Sequence, residues 1–292
     1  MALIWGIPYL FIKIAVGELS PASLVFLRTG IGAALLLPAA AARNDLAPIA
    51  RQWRWILVYT AVEVAVPWLL LSHAEQRITS SLAGLLLAAT PSFGAILAWL
   101  TRADDRLDRR RIFGLIVGFV GVGALVGLDL RTNDLVAVGE VLLVALGYGM
   151  GATVISRKLS SLPSLGVVVA SLAITALVYA PLGIAQLPPT LPSPQVILAV
   201  AVLGAICTAL AFVVFFALIR EVGSARATVI TYLNPAVALA LGIAVLGEPL
   251  TVGIAVGFVL IVLGSVLATR RAAPRSADLP VAEERARLAR TS

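Results

Sequence analysis

Residues 80–98, SSLAGLLLAATPSFGAILA, form an uncharged apolar run with Pro91 at its centre, and this run decides the fold. A related pattern returns at residues 224–242, SARATVITYLNPAVALALG, where Pro235 occupies the same place at an offset of 144 residues. The same register aligns three further identities: Ser80 with Ser224, Ala83 with Ala227 and Leu97 with Leu241. A glycine-spaced apolar segment follows each copy. We interpret the two stretches as traces of an internal duplication.

The overall composition predicts an all-α integral membrane protein. Hydrophobic residues make up 60% of the 292-residue chain, charged residues only 13%, and the mean hydropathy is +1.03. Soluble domains carry about 25% charged residues, so this chain has too few to cover a soluble surface. The net charge of +7 is better explained by loops that face anionic lipid than by nucleic-acid binding. We therefore expect the lipid bilayer, and no nucleic acid, as a partner.

Ten apolar runs approach the length of about 17–25 residues that crosses a bilayer. Their approximate limits are 2–16, 22–42, 54–73, 78–101, 112–128, 135–156, 164–186, 195–219, 225–246 and 251–269. The first is short, because a helix of that length reaches only about 22 Å. We interpret it as a span whose start is missing. A cleaved signal peptide is the alternative, but no basic segment precedes the run.

The distribution of basic residues orients the ten spans. With the N-terminus in the cytoplasm, 18 of the 22 Lys and Arg residues fall in cytoplasmic segments, and only Arg77 and Arg131 lie outside. This agrees with the positive-inside rule. Five spans per half then make residues 1–128 and 135–269 two repeats of opposite orientation, a recurrent plan among secondary transporters. Residues 270–292 are charged and broken by proline, so we expect a disordered cytoplasmic tail.

Three ionisable residues fall inside predicted spans, where each costs about 2.5–3.5 kcal/mol to insert. Glu63 lies at the midpoint of the third span, too deep to reach water, whereas Lys13 and Arg28 lie toward the outer side. These three are the candidates for charge coupling, including the binding of a proton. Snorkelling to the interface, or a structural ion pair with Glu63, is the alternative for Lys13 and Arg28.

A proline lies near the middle of the fourth and ninth spans, where it breaks the helical hydrogen bonding. Thr90 precedes Pro91, and Asn234 precedes Pro235. Opened helices at matching depths of two repeats point to a transporter's binding site, although membrane prolines also occur as simple kinks. The predicted solute pathway comprises Glu63, Thr90, Pro91, Tyr148, Tyr232, Asn234 and Pro235, with Thr208 and Thr231 at similar depth and Pro67 and Trp68 about one turn away.

The sequence offers little for catalysis or for a metal. His73 is the only histidine and Cys207 the only cysteine, so neither can join a second residue of its kind in a metal site. No phosphate-binding loop is present. We expect no metal and no cofactor, and we expect the protein not to be an enzyme. A membrane-embedded enzyme and a structural membrane subunit remain the alternatives to a carrier.

Several motifs together are characteristic of one family. They are WG followed by Lys13, SPASLVFLR at the second span, AEQRITSSLAGLLLAATPSFGAILAWL, and NPAVALALGIAVLGEPLT in the second half. The chain resembles the EamA family of the drug/metabolite transporter superfamily over nearly its whole length. The resemblance implies a carrier in the bacterial inner membrane with a central cavity between its halves, which moves small metabolites such as amino acids, or toxic compounds, and for which we favour export. The family's LGEPLT-type sequence is replaced in the first half by ADDRLDRRR.

Overall fold

The computed structural model of the protein describes residues 1–100, 108–127, 135–222 and 233–269, which are almost entirely helical. Its helices are α1 (Ala2–Ala15), α2 (Pro21–Ala42), α3 (Ile49–Ala74), α4 (Ser80–Leu100), α5 (Arg109–Gly127), α6 (Leu135–Lys158), α7 (Ser164–Ala185), α8 (Pro194–Glu221), α9 (Asn234–Leu246) and α10 (Val252–Thr269). Within these ranges, eight helices are long and apolar enough to cross a membrane. The protein is therefore a multi-pass helical membrane protein, as the composition predicts.

Two helices are too short to settle the predicted number of ten spans. These are α1 and α9, and the residues that precede Leu233 in the predicted ninth span lie outside the described residues, as does the predicted tail. The observed ends elsewhere agree with the predicted limits to within about one turn, except that α3 begins five residues early, at Ile49 instead of residue 54. A 3₁₀ turn, Ile49–Gln52, extends this helix beyond the apolar run on which the prediction depended.

The most extensive helix contacts form a pattern that is unchanged when the first five helices exchange places with the last five. Helix α5 packs against α10, α2 against α7, and α4 against α9. The contact of α1 with α8 has its counterpart in the contact of α6 with α3. Each of these pairs contains one helix from each half of the chain, so the two halves are closely interlocked.

Glycines allow the closest of these approaches, between α5 and α10. A Cβ atom added at Gly114 would lie 2.5 Å from the backbone nitrogen of Ala268, and one at Gly121 would lie 2.8 Å from that of Ile261. No larger residue fits at either position without displacing the opposite backbone. Small residues are the usual means by which membrane helices pack closely.

Three long helices are interrupted near their middles. Helices α3 and α8 each contain a π-helical segment, Thr60–Ala65 and Val202–Leu210 respectively, and these overlap when the second half is shifted by the 144-residue offset. Helix α4 consists of two α-helical segments, Ser80–Leu87 and Thr90–Leu100. The interruption lies just before Pro91, as expected of a proline that lacks the N–H needed to continue the helix.

The interruption in α4 frees a backbone carbonyl, and α10 uses it. The amide of Ser92 bonds to Ala89 at 2.9 Å instead of to Ala88. The Ala88 carbonyl accepts a hydrogen bond from the Ser265 hydroxyl at 2.7 Å. This carbonyl therefore joins α4 to α10.

Candidate functional site

Glu63 lies in the π-helical segment of α3 and points at the glycine face of α6. Its carboxylate packs directly on Gly151, where an added Cβ would overlap it. A Cβ at Gly147 would likewise lie 2.6 Å from the Val62 carbonyl oxygen, so the absence of side chains on α6 makes room for the bulged backbone. The Oε2 atom of Glu63 is buried and has no hydrogen-bond partner in the described part of the chain. This leaves a buried polar atom without a hydrogen-bond partner near the middle of a helix long enough to cross a membrane.

Arg28 of α2 is held by an aromatic ring and a hydroxyl group. Its guanidinium carbon lies 3.7 Å from the ring centroid of Trp68 on α3. Its Nε atom donates to the Thr208 hydroxyl on α8 at 3.1 Å, which in turn donates to the Leu203 carbonyl at 2.8 Å. The side chain of Arg28 is buried, and it forms no ion pair with any described residue. A cation–π contact of this kind is worth about 2 kcal/mol when desolvated.

Tyr148 of α6 connects the surroundings of Glu63 and Arg28. It packs against the apolar cluster that contains Trp68, and it interacts electrostatically with both Glu63 and Arg28. We define the central polar cluster as Arg28, Trp68, Tyr148 and Thr208, with Glu63 beside it. Its members come from α2, α3, α6 and α8, and therefore from both halves of the chain.

Lys13 binds the end of α3 and not the carboxylate of Glu63. Its Nζ atom donates to the carbonyl oxygens of Glu75 at 2.6 Å and Ile78 at 2.8 Å. These carbonyls lie where α3 ends, and a cation is favourable at a helix C-terminus. Neither Lys13 nor Arg28 pairs with Glu63, so the contacts give no support to the structural ion pair considered above.

The structure reveals two further carboxylates that the sequence pattern does not single out. Glu248, between α9 and α10, accepts hydrogen bonds from the amides of Ser80 at 2.7 Å and Ser81 at 2.9 Å. It thus caps the N-terminus of α4, where negative charge is stabilising. Glu75 is fully buried, and neither of its carboxylate oxygens has a hydrogen-bond partner among the residues described. Charged residues are common at helix ends, so neither carboxylate stands out in the sequence. The one signal is that Glu75 follows a long apolar run.

The proline positions of the predicted pathway lie at helix contacts. Thr90 and Pro91 are half-buried at the start of the second segment of α4. Pro235 is buried in the first turn of α9, and a Cβ at Gly6 of α1 would lie 3.0 Å from the Asn234 carbonyl oxygen. The two predicted residues just before Leu233 fall outside the described ranges: Thr231 and Tyr232. Of the predicted pathway residues, Glu63 and Tyr148 therefore lie together, close to Arg28. Thr90 lies on α4 and Asn234 on α9.

Metal binding receives no support in the ranges given above. They contain no group of three or more His, Cys, Asp or Glu side chains that could hold a metal ion. His73 and Arg77 contact the Glu140 carboxylate of α6, through a hydrogen bond of 2.8 Å and an ion pair of 3.0 Å respectively. They join α3 to α6 at their exposed ends.

A family profile and two related sequences all describe transporters. A profile of the EamA-like transporter family matches residues 1–127 and again residues 136–270. The "Uncharacterized transporter YvbV" of Bacillus subtilis (strain 168) is 22% identical over 98% of this chain and 95% of its own length. An "Uncharacterized transporter" of Archaeoglobus fulgidus is 23% identical over 92% of this chain and 94% of its own.

One solved structure, described only as "Crystal structure of protein", shares the fold. It superposes with a TM-score of 0.67 at 22% identity, and the match covers 92% of this chain and 93% of that one. At this identity the likeness concerns the fold alone.

Proposed function

Because this chain belongs to the EamA-like transporter family, and so to the drug/metabolite transporter superfamily, we propose that it is a secondary carrier that works by alternating access. It moves small metabolites such as amino acids, or toxic compounds, across the bacterial inner membrane, in the direction of export. The observation that carries this proposal is the central polar cluster. Buried polar groups at membrane depth mark solute pathways, and this cluster is built by helices from both halves.

The architecture that we propose is ten membrane helices in two inverted five-helix repeats, residues 1–128 and 135–269, with both termini in the cytoplasm. Three observations support it. The family profile matches once in each half, the most extensive helix contacts are symmetrical under exchange of the halves, and the π-helical segments of α3 and α8 overlap at the 144-residue offset. A carrier of this plan exposes its centre alternately to the two sides as one repeat moves against the other.

The cluster favours a solute with an anionic group. The guanidinium of Arg28 uses Nε for Thr208 and one face for Trp68, which leaves its terminal nitrogens to bind a carboxylate in a two-pronged manner. Aromatic side chains of Trp68 and Tyr148 would contact the apolar part of the solute. Amino acids and other small carboxylates have both features, and they are the first solutes to test.

Glu63 is the residue whose charge state we propose to matter for transport. The Oε2 atom of Glu63 is buried without a hydrogen-bond partner among the described residues, and such a group is costly in its ionised form, so Glu63 either holds a proton or meets a cationic group of the solute. In a carrier whose centre is exposed first to one side and then to the other, both events couple charge to movement. Glu75 is a second candidate that only the structure reveals, since it is fully buried and neither of its carboxylate oxygens has a hydrogen-bond partner among the described residues.

Proteoliposomes containing the purified protein provide the test. We expect saturable uptake of a radiolabelled amino acid that depends on a pH gradient. The variant Arg28→Gln should abolish it, whereas Arg109→Gln, which removes an exposed arginine from the start of α5, should not. A membrane-embedded enzyme would release a modified product, and a structural subunit would give no uptake at all. Wild-type protein that folds but moves none of a broad panel of small carboxylates would refute the proposal.

A further inference from the structure

A basic, concave surface lies where α3 begins and α6 ends. It encloses about 520 Å³ and is lined by Arg51 and Arg54 from α3 and by Arg157 and Lys158 from α6, together with Gln52, Trp53 and Trp55. The described residues that line it include four cations and no acid. We call this surface the basic pocket. Four positive charges drawn from two helices around one hollow indicate an anionic ligand.

Two tryptophans place the basic pocket at the boundary between lipid and water. Trp53 is 55% exposed and Trp55 is 40% exposed, and exposed tryptophans of membrane helices concentrate at the level of the lipid headgroups. The Arg54 guanidinium lies 5.5 Å from the ring centroid of Trp53, and the Lys158 ammonium lies 4.9 Å from that of Trp55. The rings hold these cations at headgroup depth, whereas unrestrained side chains would extend into water.

An apolar surface continues from the basic pocket toward the middle of the membrane. Leu57 and Val58 follow Trp55 on α3 and are 43% and 41% exposed. A ligand in the pocket therefore has room for a negative group among the cations and for hydrocarbon chains beside α3. A free phosphate ion or a water-soluble metabolite would contact only the cations and would leave the apolar surface beside α3 unused.

From these observations we propose that the basic pocket binds the headgroup phosphate of an anionic phospholipid, such as phosphatidylglycerol or cardiolipin. Arginine recognises phosphate through paired hydrogen bonds, and basic pockets between membrane helices on the cytoplasmic side bind headgroups of this class. The predicted orientation places α3's first turn and α6's last turn on that side. The site does not depend on the identity of the transported solute, so it stands apart from the proposed transport function.

The chain contains a matched control for general attraction between basic residues and lipid. Arg109 and Arg110 begin α5, are both exposed, and are assigned by the positive-inside rule to the same side of the membrane. They do not line the basic pocket. A pair of substitutions there removes as much charge as a pair in the pocket.

The test is native mass spectrometry of the purified full-length protein, titrated in detergent with phosphatidylglycerol, cardiolipin or phosphatidylcholine. We expect wild-type protein to retain the two anionic lipids in preference to phosphatidylcholine. The double variant Arg54→Gln/Lys158→Gln should bind them on the order of tenfold more weakly, and Arg109→Gln/Arg110→Gln should bind them as wild type does. Thermal unfolding in phosphatidylcholine alone should be the same for all three proteins, which checks that the variants are folded.

A different pattern would overturn the proposal. Equal loss in both double variants would mean diffuse attraction to charge and no site. Unchanged lipid binding in Arg54→Gln/Lys158→Gln would mean that the pocket is not where the lipid binds. A further titration uses glycerol phosphate, the headgroup without its acyl chains, as a competitor. If it displaced the bound lipid at concentrations comparable with those of the lipid, the pocket would be a site for a small soluble anion.

Discussion

Helices α3 and α8 have the same kind of backbone and different chemistry. Each contains a π-helical segment near its middle, and the two segments overlap at the 144-residue offset. At the aligned position, α3 carries Glu63 and α8 carries Cys207. Both segments contact a neighbour through glycine: Gly147 of α6 faces Val62, and Gly204 of α8 itself faces Ile31.

This difference separates what belongs to the architecture from what belongs to the chemistry. A π segment inserts a residue into the helical ladder, and such segments recur at functional sites. Both halves retain that distortion, whereas only the first half places a carboxylate on it. In α8, Thr208, which is next to Cys207, accepts a hydrogen bond from Arg28 of the first half. The two halves thus share a shape, and the ionisable groups of the central polar cluster are concentrated in the first.

The largest effect is expected from closing the space that the bulge of α3 requires. In Gly147→Ala the new methyl group would lie 2.6 Å from the Val62 carbonyl oxygen, which is backbone and cannot turn away. Such overpacking costs about 1–3 kcal/mol, so thermal unfolding in detergent should occur at a lower temperature. The matched control is Gly123→Ala on α5, where nothing lies within 4 Å of the added atom. Equal stability of the two variants would show that the fit between α3 and α6 is not needed.

An intermediate effect is expected from α8. Thr208→Val keeps the shape of the side chain and removes the acceptor that Arg28 Nε uses at 3.1 Å. Leaving a buried donor without a partner costs about 1–3 kcal/mol, and because the Arg28 guanidinium keeps its contact with Trp68, we expect a smaller loss than in Gly147→Ala. The same change at Thr175, whose hydroxyl bonds only within its own helix, to Ser171, is the control and should cost less. If the two substitutions destabilise the protein equally, the contact between α8 and Arg28 contributes nothing of its own.

The smallest effect is expected at the N-terminus of α8. This helix begins beside a carboxylate contact, whereas α3 begins with a 3₁₀ turn. The Ser193 amide donates to the Glu18 carboxylate at 2.7 Å, and the hydrogen bonds from Ser193 lower the pKa of Glu18 below its ordinary value. A lowered pKa in the folded state stabilises it at neutral pH, and this contribution is lost as the pH falls through the folded-state value.

The unfolding temperatures of wild type and Glu18→Gln measure this contribution. The wild type should be slightly more stable at neutral pH, and the difference should shrink once the pH falls below the ordinary pKa of a glutamate, about 4.3, and disappear below the lower pKa of Glu18 in the folded state. The contact is exposed, so the difference is small. A difference that grew toward acidic pH would contradict the assignment.

Much of the fold follows from the sequence, because spans in lipid must be long and apolar. The break in α4 also followed, since proline removes a definite hydrogen bond at Pro91. The π segments could not be predicted in this way. In a helix that is apolar on every face, one inserted residue leaves the spacing of apolar residues almost unchanged. The depth of Glu63 could be read from its distance to the ends of its span.

The partners of the charged residues could not be read in the same way. Lys13 and Arg28 were both weighed as cations for Glu63, since depth alone does not distinguish a carboxylate from a backbone carbonyl. In the structure Lys13 binds the carbonyls that end α3, and Arg28 binds Thr208 and Trp68. Side-chain direction decides these contacts, and it depends on how the helices rotate about their axes when they pack.

We propose that the charge state of Glu63 matters for transport, because Glu63 either holds a proton or meets a cationic group of the solute. The first of these roles makes uptake depend on the proton gradient, and gradient-driven uptake is therefore the quantity to measure. Proteoliposomes are given a radiolabelled amino acid that the wild type transports, and gradient-driven uptake is compared with solute exchange at equal pH for wild type and Glu63→Gln. If Glu63 carries the coupling proton, we expect Glu63→Gln to stay folded and still exchange solute, and its gradient-driven uptake to fall to background. Normal uptake by Glu63→Gln across the whole pH range would contradict it.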